Sequence, residues 1–198
     1  MKKRLFNSYE NLPESYNEIF SVNLQKNKKV ALVLNIVATA VALIMVVPMC
    51  FVVPISSLFS MEEGIGRYIL RFSVILICSV LYLILHEAVH GIAMKICGTK
   101  KIKYGFTGMF VYAGSKDYYD KKSYIFIALA PVVLWGIVLL IINLLVPYEW
   151  IWVVYIIQVS NIGGAVGDFY VTFKFSRFPS DILITDSGLG MTVYSAEK

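Results

Sequence analysis

The sequence predicts an all-α polytopic membrane protein with about four transmembrane helices and a small cytosolic β-hairpin between the second and third. Three observations carry that expectation. Hydrophobic residues make up 58% of the 198 and charged residues only 16%, against the roughly 25% charge usual in soluble domains. The charges are clustered, so that four runs of about 20 residues carry almost none, the length a helix needs to cross a bilayer. Sixteen of the eighteen lysines and arginines fall in segments that one side of such a topology would share.

Each element follows in chain order. Residues 1–29 mix charge, Asn and Tyr and are expected to form a short amphipathic or irregular segment. The first apolar run begins only at Val30, too late for a cleavable signal peptide, so the N-terminus is expected to be retained. Residues 30–53 make the first span, with Pro48 bending or ending it. A short external connection covers 54–67, and the second span runs over 68–94. Residues 101–115, KIKYGFTGMFVYAGS, alternate apolar and polar residues in places around a central Thr-Gly pair, which predicts the hairpin. The third span covers 123–148, with Pro131 in its first turns, and the fourth covers 150–173. The last 25 residues are polar and loop-like. No internal repeat or flexible linker interrupts the chain. One domain over 1–198 is therefore expected: a cytosolic segment (1–29), a four-span core (30–173) and a cytosolic tail (174–198).

Orientation follows from the basic residues. Six Lys and Arg lie before Val30, seven between Lys95 and Lys122, and three from Lys174 onward, leaving only Arg67 and Arg71 elsewhere. The positive-inside rule then puts both termini in the cytosol of a multi-pass cell-membrane protein. The net charge of +5 is explained by these flanks and does not point to nucleic acid. Cys50, Cys78 and Cys97 form no CxxC pair and suggest neither a disulfide framework nor a cysteine metal site.

The second span carries the chemistry. Residues 86–90 read HEAVH, and His86 and His90 are the only histidines in the chain. Four residues apart on a helix, they lie about 40° apart around the axis and can bind one Zn²⁺. Glu87 beside them can act as general base toward metal-activated water. A charge at membrane depth costs roughly 2.5 to 3.5 kcal/mol, and Glu87 follows the uncharged stretch Phe72 to Leu85. A divalent cation offsets that cost for all three residues. Neutral histidines hydrogen-bonded to other helices are the plainer reading.

A hydrolytic zinc site takes about three protein ligands. With no third histidine, the third ligand must be a carboxylate, and the only other acid within an apolar run is Asp168. His90 lies five residues before Lys95 and Asp168 six before Lys174, so at about 1.5 Å per residue both sit roughly 8 to 9 Å short of the cytosolic boundary. Asn161, two turns before Asp168, is a candidate to hydrogen-bond a substrate carbonyl, with helix-to-helix bonding as its alternative. Gly163, Gly164 and Gly167 have the small-residue spacing of close helix packing.

Together HEAVHG (86–91), the β-rich stretch after it, ALAP (128–131) and NIGGAVGD (161–168) resemble the site-2 protease class of intramembrane zinc metalloproteases. More narrowly they resemble a bacterial family of small membrane proteins, the putative zincin peptidases, over roughly residues 68–173. Relative to the site-2 pattern, Gly164 stands where a proline would, the Asn-to-Asp spacing is one shorter, and Phe169 replaces a final glycine. These departures bear on Asn161 more than on Asp168. The resemblance implies a peptide or transmembrane protein substrate, cleaved within or beside a membrane span, with Zn²⁺ on His86, His90 and Asp168. It also implies that the hairpin presents an edge strand to an unwound substrate. Two other readings stand beside it: a non-catalytic membrane protein held together by a metal or polar cluster, and a small transporter using Glu87 and Asp168.

Overall fold

Apolar side chains turned outward set the first level of the architecture. In the computed structural model, which describes residues 5–23, 26–108 and 111–196, helix α1 (Lys28–Val52) buries none of its residues. Leu32, Ile36, Ile44 and Phe51 all stand exposed along it, as lipid contact demands and water would penalise. Pro48 lies inside this helix, which continues past it to Val52. Four helical segments are long and apolar enough to cross a membrane: Lys28–Val52, Ile65–Ile96, Lys121–Leu145 and Tyr148–Ser176. The second is helix α2 and the third helix α3 (Lys121–Leu145). The fourth is broken at Ala165, which leaves the helical ladder (φ −83°, ψ 10°) and divides it into α4 (Ile151–Gly164) and α5 (Val166–Ser176).

Contacts gather the chain into two compact units, Leu34–Leu85 with Val132–Val166, and Met1–Val33 with His86–Pro131 and Gly167–Lys198. The first of these is helical. Its core centres on Trp152, fully buried with Val53, Leu58 and Val153, whose indole N–H donates to the Val53 carbonyl at 3.2 Å. Arg71, also buried, donates to the carbonyls of Ser57 and Ser60, around the end of a 3-10 helix (Ile55–Phe59). Tyr82 donates to Asn161 Oδ1 at 2.8 Å, and Asn161 Nδ2 donates to the Val132 carbonyl at 3.2 Å. Three helices are thereby joined through one amide. Gly163 brings α4 to the Ala38 backbone, where an added Cβ would lie 3.5 Å from the carbonyl oxygen, whereas Gly164 has no neighbour within 4 Å of such an atom.

The other unit corrects the predicted class. The protein is not all-α. Strands β1 (Ser8–Tyr9), β2 (Tyr16–Val22), β5 (Tyr118–Asp120), β6 (Leu183–Asp186) and β7 (Met191–Ala196) form an antiparallel sheet in the order β1-β5-β6-β7-β2. A separate hairpin pairs β3 (Lys103–Phe106) with β4 (Val111–Gly114), with Gly108 at φ +88° in its turn. Met109 and Phe110 lie outside the described residues, as do a few residues of the expected segments 1–29 and 174–198. Those two segments, expected to be irregular, supply four of the five strands. The physical reason is burial: Tyr119, Ile184 and Val193 place their side chains against Met94, Ile127, Val171 and Phe175 in one apolar core. Alternation in β2 is interrupted by a bulge between Glu18 and Phe20, which turns Ile19 outward and hides the period-two pattern.

Tyr119 shows how this sheet is tied to its surroundings. Its buried hydroxyl lies 2.6 Å from Ser115 Oγ and 2.7 Å from Thr99 Oγ1. Burial pushes its pKa to about 12, so it serves as a neutral hydrogen-bonding group. Just beyond α2, burial likewise raises the Cys97 thiol to about 11, which leaves it inert as a nucleophile at neutral pH.

Candidate metal centre

Every residue of the centre belongs to the sheet-bearing unit. His86 and His90 project from α2 one turn apart, with ring centroids 4.9 Å from each other and planes at 78°. Asp168 lies in the first turn of α5, a turn that exists because the chain breaks at Ala165. The helix dipole at such a start favours a negative charge. Its carboxylate oxygens stand 3.4 Å from His86 Nε2 and 3.6 Å from His90 Nε2.

Those distances have a chemical meaning. Good N–H···O hydrogen bonds fall between about 2.7 and 3.2 Å. Donor atoms around one tetrahedral Zn²⁺, with bonds of about 2.0 to 2.2 Å, stand about 3.3 to 3.6 Å apart. One ligand atom from each of the three residues lies within 4.8 Å of the others. Two neutral imidazole nitrogens and one carboxylate oxygen are a donor set suited to zinc, and the residues present fit such an ion. The centre is sheltered but reachable, since the Asp168 side chain keeps 23% of its surface accessible and the histidines 11% and 12%.

The surroundings fix the orientation of these groups. His90 Nδ1 lies 2.9 Å from the Ile127 carbonyl of α3. A carbonyl only accepts, so Nδ1 carries the hydrogen of this bond, and Nε2 is the nitrogen that faces Asp168 and would meet a metal. Glu87 is held from the hairpin: the Ala113 N–H donates to its Oε2 at 2.8 Å. Gly91, the last residue of HEAVHG, leaves room for Tyr104 of β3, because a Cβ there would fall 1.9 Å from the Tyr104 hydroxyl. The hairpin therefore rests on the face of α2 that carries the motif.

The hairpin is itself buttressed from the tail. A Cβ on Gly114 would lie 2.2 Å from the Ser187 carbonyl carbon and 2.4 Å from Gly188 N, so β4 meets the β6–β7 turn backbone to backbone. Ser115 N–H donates to the Asp186 carbonyl at 2.8 Å. The Asp186 side chain accepts from Gly188 N–H and from the Tyr124 hydroxyl, both at 2.8 Å. Burial, with a smaller contribution from Asp168, raises the Asp186 carboxyl to about 6.

The structure thus brings His86, His90 and Asp168 together, with Glu87 beside them on α2. Asn161 belongs to the helical unit, where both ends of its amide bond other helices. Sequence reasoning did not single out Ala113, Ile127, Tyr124 or Asp186. Two of these act through the backbone and leave no mark on residue type. Asp186 was legible in principle, since ILITDSGLGMTVYSA has two apolar-rich runs around a Gly-containing turn, a hairpin signal.

No solved structure matches the chain. It is similar to an "Uncharacterized 24.7 kDa protein in gap 5'region" of Pyrococcus woesei, 29% identical over 139 residues. That match covers 65% of this chain and 57% of the relative, so the chain spans little more than half of that protein's length. A family model described as putative zincin peptidase matches residues 79–183, more than half of the chain. The matched region runs from two helical turns before His86, through the hairpin and Asp168, to the start of β6, and on that ground the chain belongs to the putative zincin peptidase family.

Proposed function

We propose that the protein is a membrane-embedded zinc endopeptidase that cleaves peptide bonds within or beside transmembrane segments. The observation that carries this reading is the approach of the Asp168 carboxylate to both imidazole Nε2 atoms, 3.4 and 3.6 Å away. His86, His90 and Asp168 would hold Zn²⁺, which supplies Lewis acidity and an activated water for peptide hydrolysis. Glu87, anchored through Oε2 by the Ala113 N–H, takes a proton from the attacking water at Oε1. It then gives that proton to the departing nitrogen as the C–N bond breaks, leaving a carboxylic acid and an amine.

Strand β3 supports a mode of substrate binding. Among the described residues it pairs only with β4, and its other edge can accept an extended peptide by strand addition, satisfying backbone groups that an unwound span exposes. The clustered lysines support an orientation with both termini and the hairpin in the cytosol.

The test is cleavage of a tagged single-span peptide by protein reconstituted in liposomes. Glu87→Gln should lower the rate by about 10²- to 10⁴-fold while bound zinc, measured on purified protein, stays near stoichiometric. Unchanged cleavage by this variant would remove Glu87 as the base. Retained zinc with no cleavage by wild type would favour a metal cluster that serves only structure.

A further inference from the structure

We infer that Pro131 is a positioning residue for His90: by withholding a backbone N–H from α3, it frees the Ile127 carbonyl to fix the histidine's tautomer. The inference rests on the reading of His90 as a metal ligand. In an α-helix each carbonyl accepts from the N–H four residues later. For Ile127 that residue is Pro131, which lies inside α3 and has no N–H to give. The proline ring also crowds the carbonyl four residues before it. Ile127 is buried, at 2% exposure, so water is a poor substitute. The group that meets the released oxygen is His90 Nδ1, 2.9 Å away.

The chemistry follows from donor and acceptor roles. His90 must carry its hydrogen on Nδ1 to make this bond, which leaves Nε2, 3.6 Å from Asp168 Oδ1, as the unprotonated nitrogen that a metal requires. An alanine at 131 would restore an N–H aimed at the Ile127 carbonyl. That N–H would compete with the imidazole for the oxygen and draw it toward the helix axis, weakening what orients the ring. The ALAP stretch thus has a role at the centre without any side chain that touches a metal.

The experiment measures Zn²⁺ affinity by competition with a chromophoric chelator, on full-length protein in detergent micelles. Wild type, Pro131→Ala, His90→Ala and Pro48→Ala are compared. Pro48 is a control, since it also lies inside a helix but belongs to the helical unit. Pro131→Ala should weaken zinc binding roughly 10- to 100-fold, the range for lost outer-shell partners, while Pro48→Ala stays within about twofold of wild type. An unchanged affinity for Pro131→Ala, with His90→Ala impaired, would overturn this inference alone. Full affinity in His90→Ala would overturn the ligand reading beneath it. Nitrogen-15 shifts of His90 in metal-free wild type need no variant to fold: they should report hydrogen on Nδ1, and hydrogen on Nε2 instead would refute the assignment.

Discussion

At the scale of single residues, the centre works by assigning each polar atom one partner. His90 donates Nδ1–H to the Ile127 carbonyl and leaves Nε2 facing the proposed metal position beside Asp168, and Glu87 Oε2 accepts from the Ala113 N–H. Asp186 follows the same logic at a distance, and its burial has a measurable consequence. Its carboxyl is raised from 3.8 to about 6 in the folded protein, so the fold favours the protonated form. The stabilisation this confers is fully present below about pH 4 and is lost as pH rises through about 6. Chemical unfolding in detergent should therefore show wild type losing up to about 3 kcal/mol relative to Asp186→Asn between pH 4 and pH 7. Parallel pH profiles for the two proteins would mean that the carboxyl is not the titrating group.

At the scale of elements, the hairpin β3–β4 is a connector between two supports. On one side it lies on α2 through Tyr104 at Gly91, and on the other it abuts the β6–β7 turn at Gly114. Gly114→Ala sets a Cβ against backbone atoms of Ser187 and Gly188, which cannot rotate away as a side chain would. The strand must shift, and the Ala113 N–H shifts with it. We expect cleavage to fall by at least about tenfold with zinc content unchanged, since no ligand is touched. Loss of zinc together with activity would show instead that the whole unit had come apart. This element also shows what a sequence does and does not disclose. The hairpin was legible because Tyr, Phe and Val alternate around a Thr-Gly turn, α1 and α3 because charge is absent for over 20 residues, and α2 because Glu87 alone interrupts the apolar run between Arg71 and Lys95. The strand β2 was not, because its bulge at Ile19 breaks the alternation. The helix break at Ala165 was hidden as well, since an apolar run reads as one span whether or not its backbone is continuous. The His-Glu-His spacing and the aspartate within an apolar run were visible as residue types, whereas the partners that orient His90 and Glu87 are main-chain atoms.

At the scale of the whole molecule, the sheet draws its strands from both ends of the chain. β1 and β2 come from the first 22 residues, β6 and β7 follow residue 182, and β5 lies between α2 and α3. The tail supplies the central strand β6, which separates β5 from β7, and with it Ile184 and Val193 of the core. A chain ending at Arg177 keeps all four apolar helical segments and every proposed ligand, yet leaves β2 and β5 without β6 and β7. It should insert into membranes as wild type does, by alkaline extraction, but bind zinc at least about tenfold more weakly and cleave nothing. Full zinc affinity in the truncated chain would show that the sheet is dispensable to the centre.

The order of synthesis gives this sheet a further meaning. Ribosomes deliver α2, with its HEAVH turn, long before the strands that brace the hairpin exist. On the proposed function, a nascent copy would hold its peptidase centre without that brace until β6 and β7 emerge and their turn meets the hairpin at Gly114.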